Sequence, residues 1–135
     1  MIRIGTQAWN FDQWVGPFYP ERTRPADFLG VYARGFNTVE VDSTFYATPV
    51  SKTVRGWFQR TPDDFVFALK MPQEITHERR LRDVDVIANE FFDRVRELEH
   101  KLGPVLIQLG PDFAPTELPA IAHFLPRLPR DIRFA

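Results

Sequence analysis

Residues 36–49, Phe36-Asn37-Thr38-Val39-Glu40-Val41-Asp42-Ser43-Thr44-Phe45-Tyr46-Ala47-Thr48-Pro49, read as a short strand that runs into a loop. Side chains alternate along a strand, so Val39 and Val41 face one way while Thr38, Glu40 and Asp42 face the other. If the valines pack against helices, Glu40 points into whatever the sheet encloses. A buried carboxylate is costly unless it is paired, so a neighbouring strand has to answer it.

The flanking sequence supplies neighbours. Residues 2–5 have a strand pattern that begins almost at Met1, and an aromatic-rich loop carrying Trp9, Phe11, Trp14, Phe18 and Tyr19 follows. Pro25 suits the first turn of a helix whose apolar side is Phe28, Leu29 and Tyr32, with Gly35 placed to cap its end. Beyond the Glu40 strand, residues 51–60 read as a helix with Ser51 as N-cap and Val54, Trp57 and Phe58 as its packing face. A third strand is expected over 65–71. A long helix over 86–102 carries a stripe of Ile87, Phe91, Val95, Leu98 and Leu102, closed by Gly103-Pro104. A fourth strand over 105–109, a short helix near 116–124 and a fifth strand from Ile132 complete the pattern.

Strand and helix alternate at intervals of about 30 residues, the size of a βαβ unit, which implies parallel strands. In every strand the second face carries polar groups: Arg3, then Glu40, Lys70, Gln108 and Arg133. A doubly wound sheet is covered on both faces and favours strands apolar on both. The expected fold is therefore α/β, the N-terminal half of a (β/α)8 TIM barrel with helices outside; a small doubly wound sheet is the alternative. Such a barrel takes about 250 residues, and 135 residues make one partial domain of four and a half βα units.

Bulk properties exclude some functions. Hydrophobic residues make up 44% and charged residues 26%, against disorder, and the net charge of −1 creates no field to draw in nucleic acid. With no cysteine, thiolate metal sites are absent. No signal-peptide pattern or membrane-length apolar run occurs, so a cytoplasmic protein without a membrane partner is expected. There is no dinucleotide fingerprint, P-loop or histidine pair at zinc spacing.

Taken in order, Gly5-Thr6 with Trp9, Phe18-Tyr19-Pro20, Asn37-Thr38-Val39-Glu40, Phe45-Tyr46 with Pro49, Phe67 to Lys70, Thr76-His77 and Ile107-Gln108-Leu109 resemble the YecE-like family, domains of unknown function with a TIM-barrel fold. Many members have Ser-Gly where this chain has Gln7-Ala8. The family barrel continues past residue 135. The resemblance implies a fold and a pocket but no reaction.

In TIM barrels the site lies at the C-terminal ends of the strands. That rule selects Gln7, Trp9, Asp42, Phe45, Tyr46 and Gln108 for substrate binding, and Glu40, Lys70 and His77 for catalysis. Glu40 and Lys70, on neighbouring strands, suit a general base, or metal ligand, beside a cation; the plain alternative is a lumen ion pair. The imidazole of His77 suits acid–base work or ligation, though a loop histidine can equally be solvated. Trp9, Trp14, Phe45 and Tyr46 suit an aromatic wall for a sugar or base, or a plug of the barrel mouth. Arg79, Arg80 and Arg82 suit a phosphate grip, or a solvated approach to the next helix.

These residues leave open whether the protein is an enzyme. The enzymatic reading is acid–base or metal-assisted chemistry on a sugar- or nucleotide-like, polar or phosphorylated metabolite, with a divalent metal as the cofactor to test. The competing reading is a non-catalytic metabolite- or partner-binding module. The open strand edge is a further place for a partner, either a C-terminal half of the barrel or a second copy.

Overall fold

The computed structural model describes residues 2–135; Met1, where the first strand pattern starts, lies outside them. Three parallel strands form one sheet in the order β1 (Thr38–Val41), β2 (Val66–Lys70), β3 (Leu102–Leu106). Parallel backbone pairing continues on both sides. Gln7 bridges to Glu40 beside β1, and Phe134 bridges to Val105 beside β3. Pairing thus runs across the sheet in chain order, without reversal. Successive right-handed crossovers laid down in one direction put their helices on one face, whereas a doubly wound sheet reverses its order. The architecture is an open parallel α/β sheet, compatible with half of a barrel.

The helices are α1 (Phe28–Gly35), α2 (Ser51–Gln59), α3 (Asp85–Arg96) and α4 (Leu118–Phe124). The alternation expected from sequence is present: Val39, Val41, Phe67, Leu69 and Val105 are fully buried with Phe28, Leu29, Tyr32, Val54, Trp57, Phe91 and Val95 from the helices. Thr38, Glu40, Val66, Ala68 and Lys70 are only partly covered on the other face. Tyr32 does more than pack. Its hydroxyl donates to the Thr38 carbonyl at 3.0 Å and accepts from the Thr6 amide at 2.9 Å, tying the N-terminal segment to β1.

Several local expectations change. Residues 2–5 do not form the first strand; pairing begins at residues 6–8, where the Ala8 amide donates to the Glu40 carbonyl. Ile2 and Ile4 are 91% and 74% exposed at that edge. The long helix ends at Arg96, and Leu102, Gly103 and Pro104 already belong to β3. Gly103 is there because a Cβ would sit 2.6 Å from a Val66 methyl and 2.7 Å from the Phe67 carbonyl oxygen; the glycine serves close strand approach, not a helix stop. Gly35 is the last residue of α1, and Phe36 takes the cap position in extended geometry. Ser51 does not cap α2: its hydroxyl donates to Glu97 of the α3 C-terminal turn at 2.5 Å.

Candidate functional site

The C-terminal ends of β1 and β2 are joined by a buried threonine. Thr44 donates to the Lys70 carbonyl at 2.7 Å and receives the Lys70 amide at 3.2 Å. This clamp sets the backbone from which the Lys70 side chain leaves. Nothing in the pattern of the sequence distinguished Thr44 from an ordinary loop threonine, because its role depends on a partner 26 residues away.

Register then decides what Lys70 meets. Glu40 stands opposite Ala68 and Val41 opposite Leu69, so the next level pairs Asp42 with Lys70. The ammonium is 3.6 Å from the Asp42 carboxylate and 4.9 Å from the centre of the Phe45 ring. The ion-pair partner expected from sequence, Glu40, is replaced by Asp42; Glu40 lies one pleat further down the same face.

An N···O separation of 3.6 Å exceeds the range of a direct hydrogen bond. Among the described residues the Lys70 ammonium donates to no acceptor, although the side chain is only 15% exposed. Three donors are thus held in a mostly covered position, with a carboxylate near enough to stabilise the charge but too far to consume them.

His77 approaches from the loop after β2. Its ring meets Phe45 edge-on at 5.0 Å. Nδ1 lies 2.8 Å from the Thr76 hydroxyl, which itself reaches the Pro72 carbonyl. The Thr76 contact fixes the orientation of the His77 ring, with the donor at Nδ1 set by the tautomer. Lys70, Phe45 and His77 are therefore one contiguous group, with Asp42 beside Lys70.

The remaining expected residues divide. Trp9 does not join Phe45 in one wall; it packs edge-on against Trp57 of α2 at 5.8 Å. Its carbonyl accepts the Tyr19 hydroxyl at 2.5 Å, and burial, with Tyr32 nearby, pushes the Tyr19 phenol up to about 12. Trp14 belongs to the loop cluster of Phe11, Phe18, Tyr19 and Tyr32, so it plugs rather than lines. Tyr46 touches Phe45 edge-on and is 68% exposed. Gln7 contributes its backbone to the pairing with Glu40 and leaves its side chain exposed. Gln108 is exposed just beyond β3, with no side-chain hydrogen bond among the described residues.

The arginine run is a latch. Arg80 grips Glu117 with two nitrogens, holds Asp112 at 2.9 Å and lies over the Phe113 ring, and Arg82 adds a contact to Glu117 at 3.2 Å. Glu117 also accepts the Ala114 amide at 3.0 Å. The Arg80 contact, followed by that amide, holds the Glu117 carboxyl down at about 2. Arg79 pairs with Glu74 at 3.2 Å. With its charge answered internally, the run joins the loop after β2 to the loop after β3, and Gly110 of the second loop lies against His77. Sequence reading missed Glu117, because alanine at position 114 is not a capping residue type and left no capping-box signature to find.

Among the described residues, no group of three or more His, Asp or Glu side chains is arranged to hold a metal ion. The metal-assisted variant thus gains no support from this side-chain set.

Fold and site together define an open parallel α/β protein with a polar strand-end cluster. The chain belongs to the family described as "Protein of unknown function DUF72", matched over residues 3–135. It is 38% identical to the UPF0759 protein YecE of Escherichia coli K12 over 99% of this chain and 47% of the relative. It is 30% identical to the UPF0759 protein YunF of Bacillus subtilis over 84% of this chain and 41% of the relative. The chain thus spans about half the length of the curated relatives it matches. A solved DUF72 family protein from Thermotoga maritima superposes with a TM-score of 0.83 at 26% identity, over 100% of this chain and 55% of the other. One from Enterococcus faecalis, at 20% identity, shares the fold with a TM-score of 0.70, over 99% of this chain and 49% of the other. No helix among the described residues is long and apolar enough to cross a membrane.

Proposed function

We propose that the cleft at the C-terminal ends of the strands binds a small polar or phosphorylated metabolite, with Lys70 receiving its anionic group. The observation that carries this reading is a lysine whose side chain is mostly covered while its ammonium opens to solvent and finds no protein acceptor among the described residues. With no protein acceptor in place, its donors are open to a ligand, and charge-assisted bonds to an anion are the strong way to use them. Phe45 covers one side of the ammonium, and the His77 imidazole, oriented by Thr76, stands against the same ring. Glu40 lies about 7 Å below Asp42 by the rise of two strand residues, placed to act as base on a group seated deeper on the same face. The reading places the protein in the cytoplasm, among such metabolites.

Titration with inorganic phosphate and simple phosphorylated metabolites tests it. Lys70→Ala is expected to weaken binding at least tenfold; unchanged affinity sinks the reading. If Glu40→Gln keeps binding but loses turnover, the protein is an enzyme. A tightly bound metabolite returned chemically unchanged makes it a binding module.

The two edges support a second reading, that the chain is one half of a barrel. Ile2 and Ile4 are exposed at one edge and residues 133–135 form the other. Such edges take further strands, from a longer chain or from a second copy. A well-folded monomer of these 135 residues in sedimentation would count against it.

A further inference from the structure

Asp42 also lines a cavity of about 340 Å3, whose other walls include Trp9, Asn10, Val41, Ser43 and Trp57. Its volume falls at the small end of the ~300–1,000 Å3 usual for small-molecule sites. We propose that this cavity is a subsite for a sugar ring, a pyranose or furanose, placed beside the anion-binding Lys70; it rests on that reading only for the adjoining anionic group.

The chemistry of the lining carries the assignment. Trp9 and Trp57 meet at 87° with centres 5.8 Å apart, making an apolar corner with one ring face and one ring edge. The C–H face of a sugar packs on such a ring, while its hydroxyls need donors and acceptors around the rim. Asp42 supplies a carboxylate, Asn10 an amide and Ser43 a hydroxyl. Among the described residues neither the Asn10 amide nor the Ser43 hydroxyl has a hydrogen-bond partner, and the Asp42 carboxylate makes no direct hydrogen bond, only its ion pair with Lys70 at 3.6 Å. Asn10 and Ser43 are exposed and both line the cavity, so their polar groups are open to a ligand there. A purely apolar ligand would strand them.

The backbone is bent to hold this corner. Ala8 has φ of 57°, in the left-handed region that glycine tolerates and alanine does not favour. Strain of this kind is kept where surrounding structure over-determines it, often at ligand clamps. Here the bonds of Ala8 to Glu40 on one side and of the Trp9 carbonyl to Tyr19 on the other hold the turn that aims Trp9 at Trp57.

The experiment uses neutral methyl glycosides and, separately, inorganic phosphate, read by tryptophan fluorescence and by heteronuclear NMR shifts of the whole protein. At least one methyl pyranoside or furanoside is expected to bind saturably. Trp9→Ala should weaken that binding at least fivefold while leaving phosphate affinity within twofold; Trp9→Phe, which keeps a ring, should restore part of it. Asn10→Ala, at an exposed position, should weaken glycoside binding without changing the thermal midpoint, which separates loss of a contact from loss of fold. Phosphate binding without any saturable glycoside overturns the subsite and leaves the function proposed above standing. Trp9-dependent glycoside binding without phosphate binding supports the subsite and sinks the anion site. Glycoside binding indifferent to both Trp9→Ala and Asn10→Ala overturns the subsite.

Discussion

Lys70 and Lys101 are both covered lysines beside an aromatic ring, and they have opposite meanings. Lys101, at the entry to β3, is 2% exposed and lies 4.4 Å from the Phe58 ring centre. Its ammonium donates to the Phe58 and Thr61 carbonyls, each at 2.7 Å, and lies 3.4 Å from the Thr61 hydroxyl. It closes the end of α2 and the turn that follows it, where helix carbonyls have no partner within the helix. Lys70, at the opposite ends of the strands, has the ring and the partial burial but none of the acceptors. The difference teaches that burial does not mark a functional lysine. Unspent donors do, and their place fits the division of labour in parallel α/β proteins, with stability at the N-terminal ends of the strands and function at the C-terminal ends.

Lys101→Met should be the most damaging change. It leaves two carbonyls without their donor and should cost about 3 kcal/mol in urea denaturation, since each unsatisfied buried group costs ~1–3 kcal/mol. Phosphate affinity of the fraction that remains folded should be unaltered. A loss below about 1 kcal/mol would dissolve the contrast between the two lysines.

Lys70→Ala should show the reverse pattern, with at least tenfold weaker phosphate binding (about 1.4 kcal/mol) and little loss of stability. Its partner Asp42 is partly exposed and can rehydrate. If Lys70→Ala unfolds the protein as readily as Lys101→Met, both lysines are structural.

Ala8→Gly sharpens the same contrast at the backbone. Relief of the left-handed strain stabilises the fold, and the looser unfolded chain offsets part of it. The net gain should be under about 1 kcal/mol, with weaker glycoside binding as Trp9 loosens. Higher affinity together with higher stability would show that the strain serves nothing at the site.

The smallest effect should come from acid. The Glu117 carboxyl, held at about 2 against an ordinary 4.5 by Arg80, stabilises the latch fully above 4.5. That contribution is lost as pH falls from about 4.5 through 2. Thermal midpoints measured down this range should fall less steeply for Glu117→Gln than for the unaltered protein, and identical slopes would remove the latch as a source of acid sensitivity. Because the pair lies near the surface, salt should shrink the difference.

What could be read from sequence follows the range of the physics. Alternation along a strand is local and repeats every two residues, so Val39 and Val41, Phe67 and Leu69, and Val105 identified the helix-covered face unaided. Parallel βα order came from the spacing of strands and helices, and Lys70 stood out as a lysine on a polar face. Boundaries misled where one residue type serves two purposes: Gly103-Pro104 has the composition of a helix stop, yet it sits in β3 because Val66 and Phe67 press against that backbone.

Register was decided only in three dimensions. A shift of two residues along β1 preserves every facing preference, so the pattern could not tell whether Glu40 or Asp42 meets Lys70; crossover packing and the Thr44 clamp chose Asp42. Likewise Trp9, Trp14 and Phe45 are alike as aromatic loop residues, and only their neighbours sent one to a cavity, one to a plug and one over an ammonium. Which side chains face inward is an intramolecular rhythm of one strand, whereas which of them touch depends on how separate strands slide past one another, and that is settled by long-range packing.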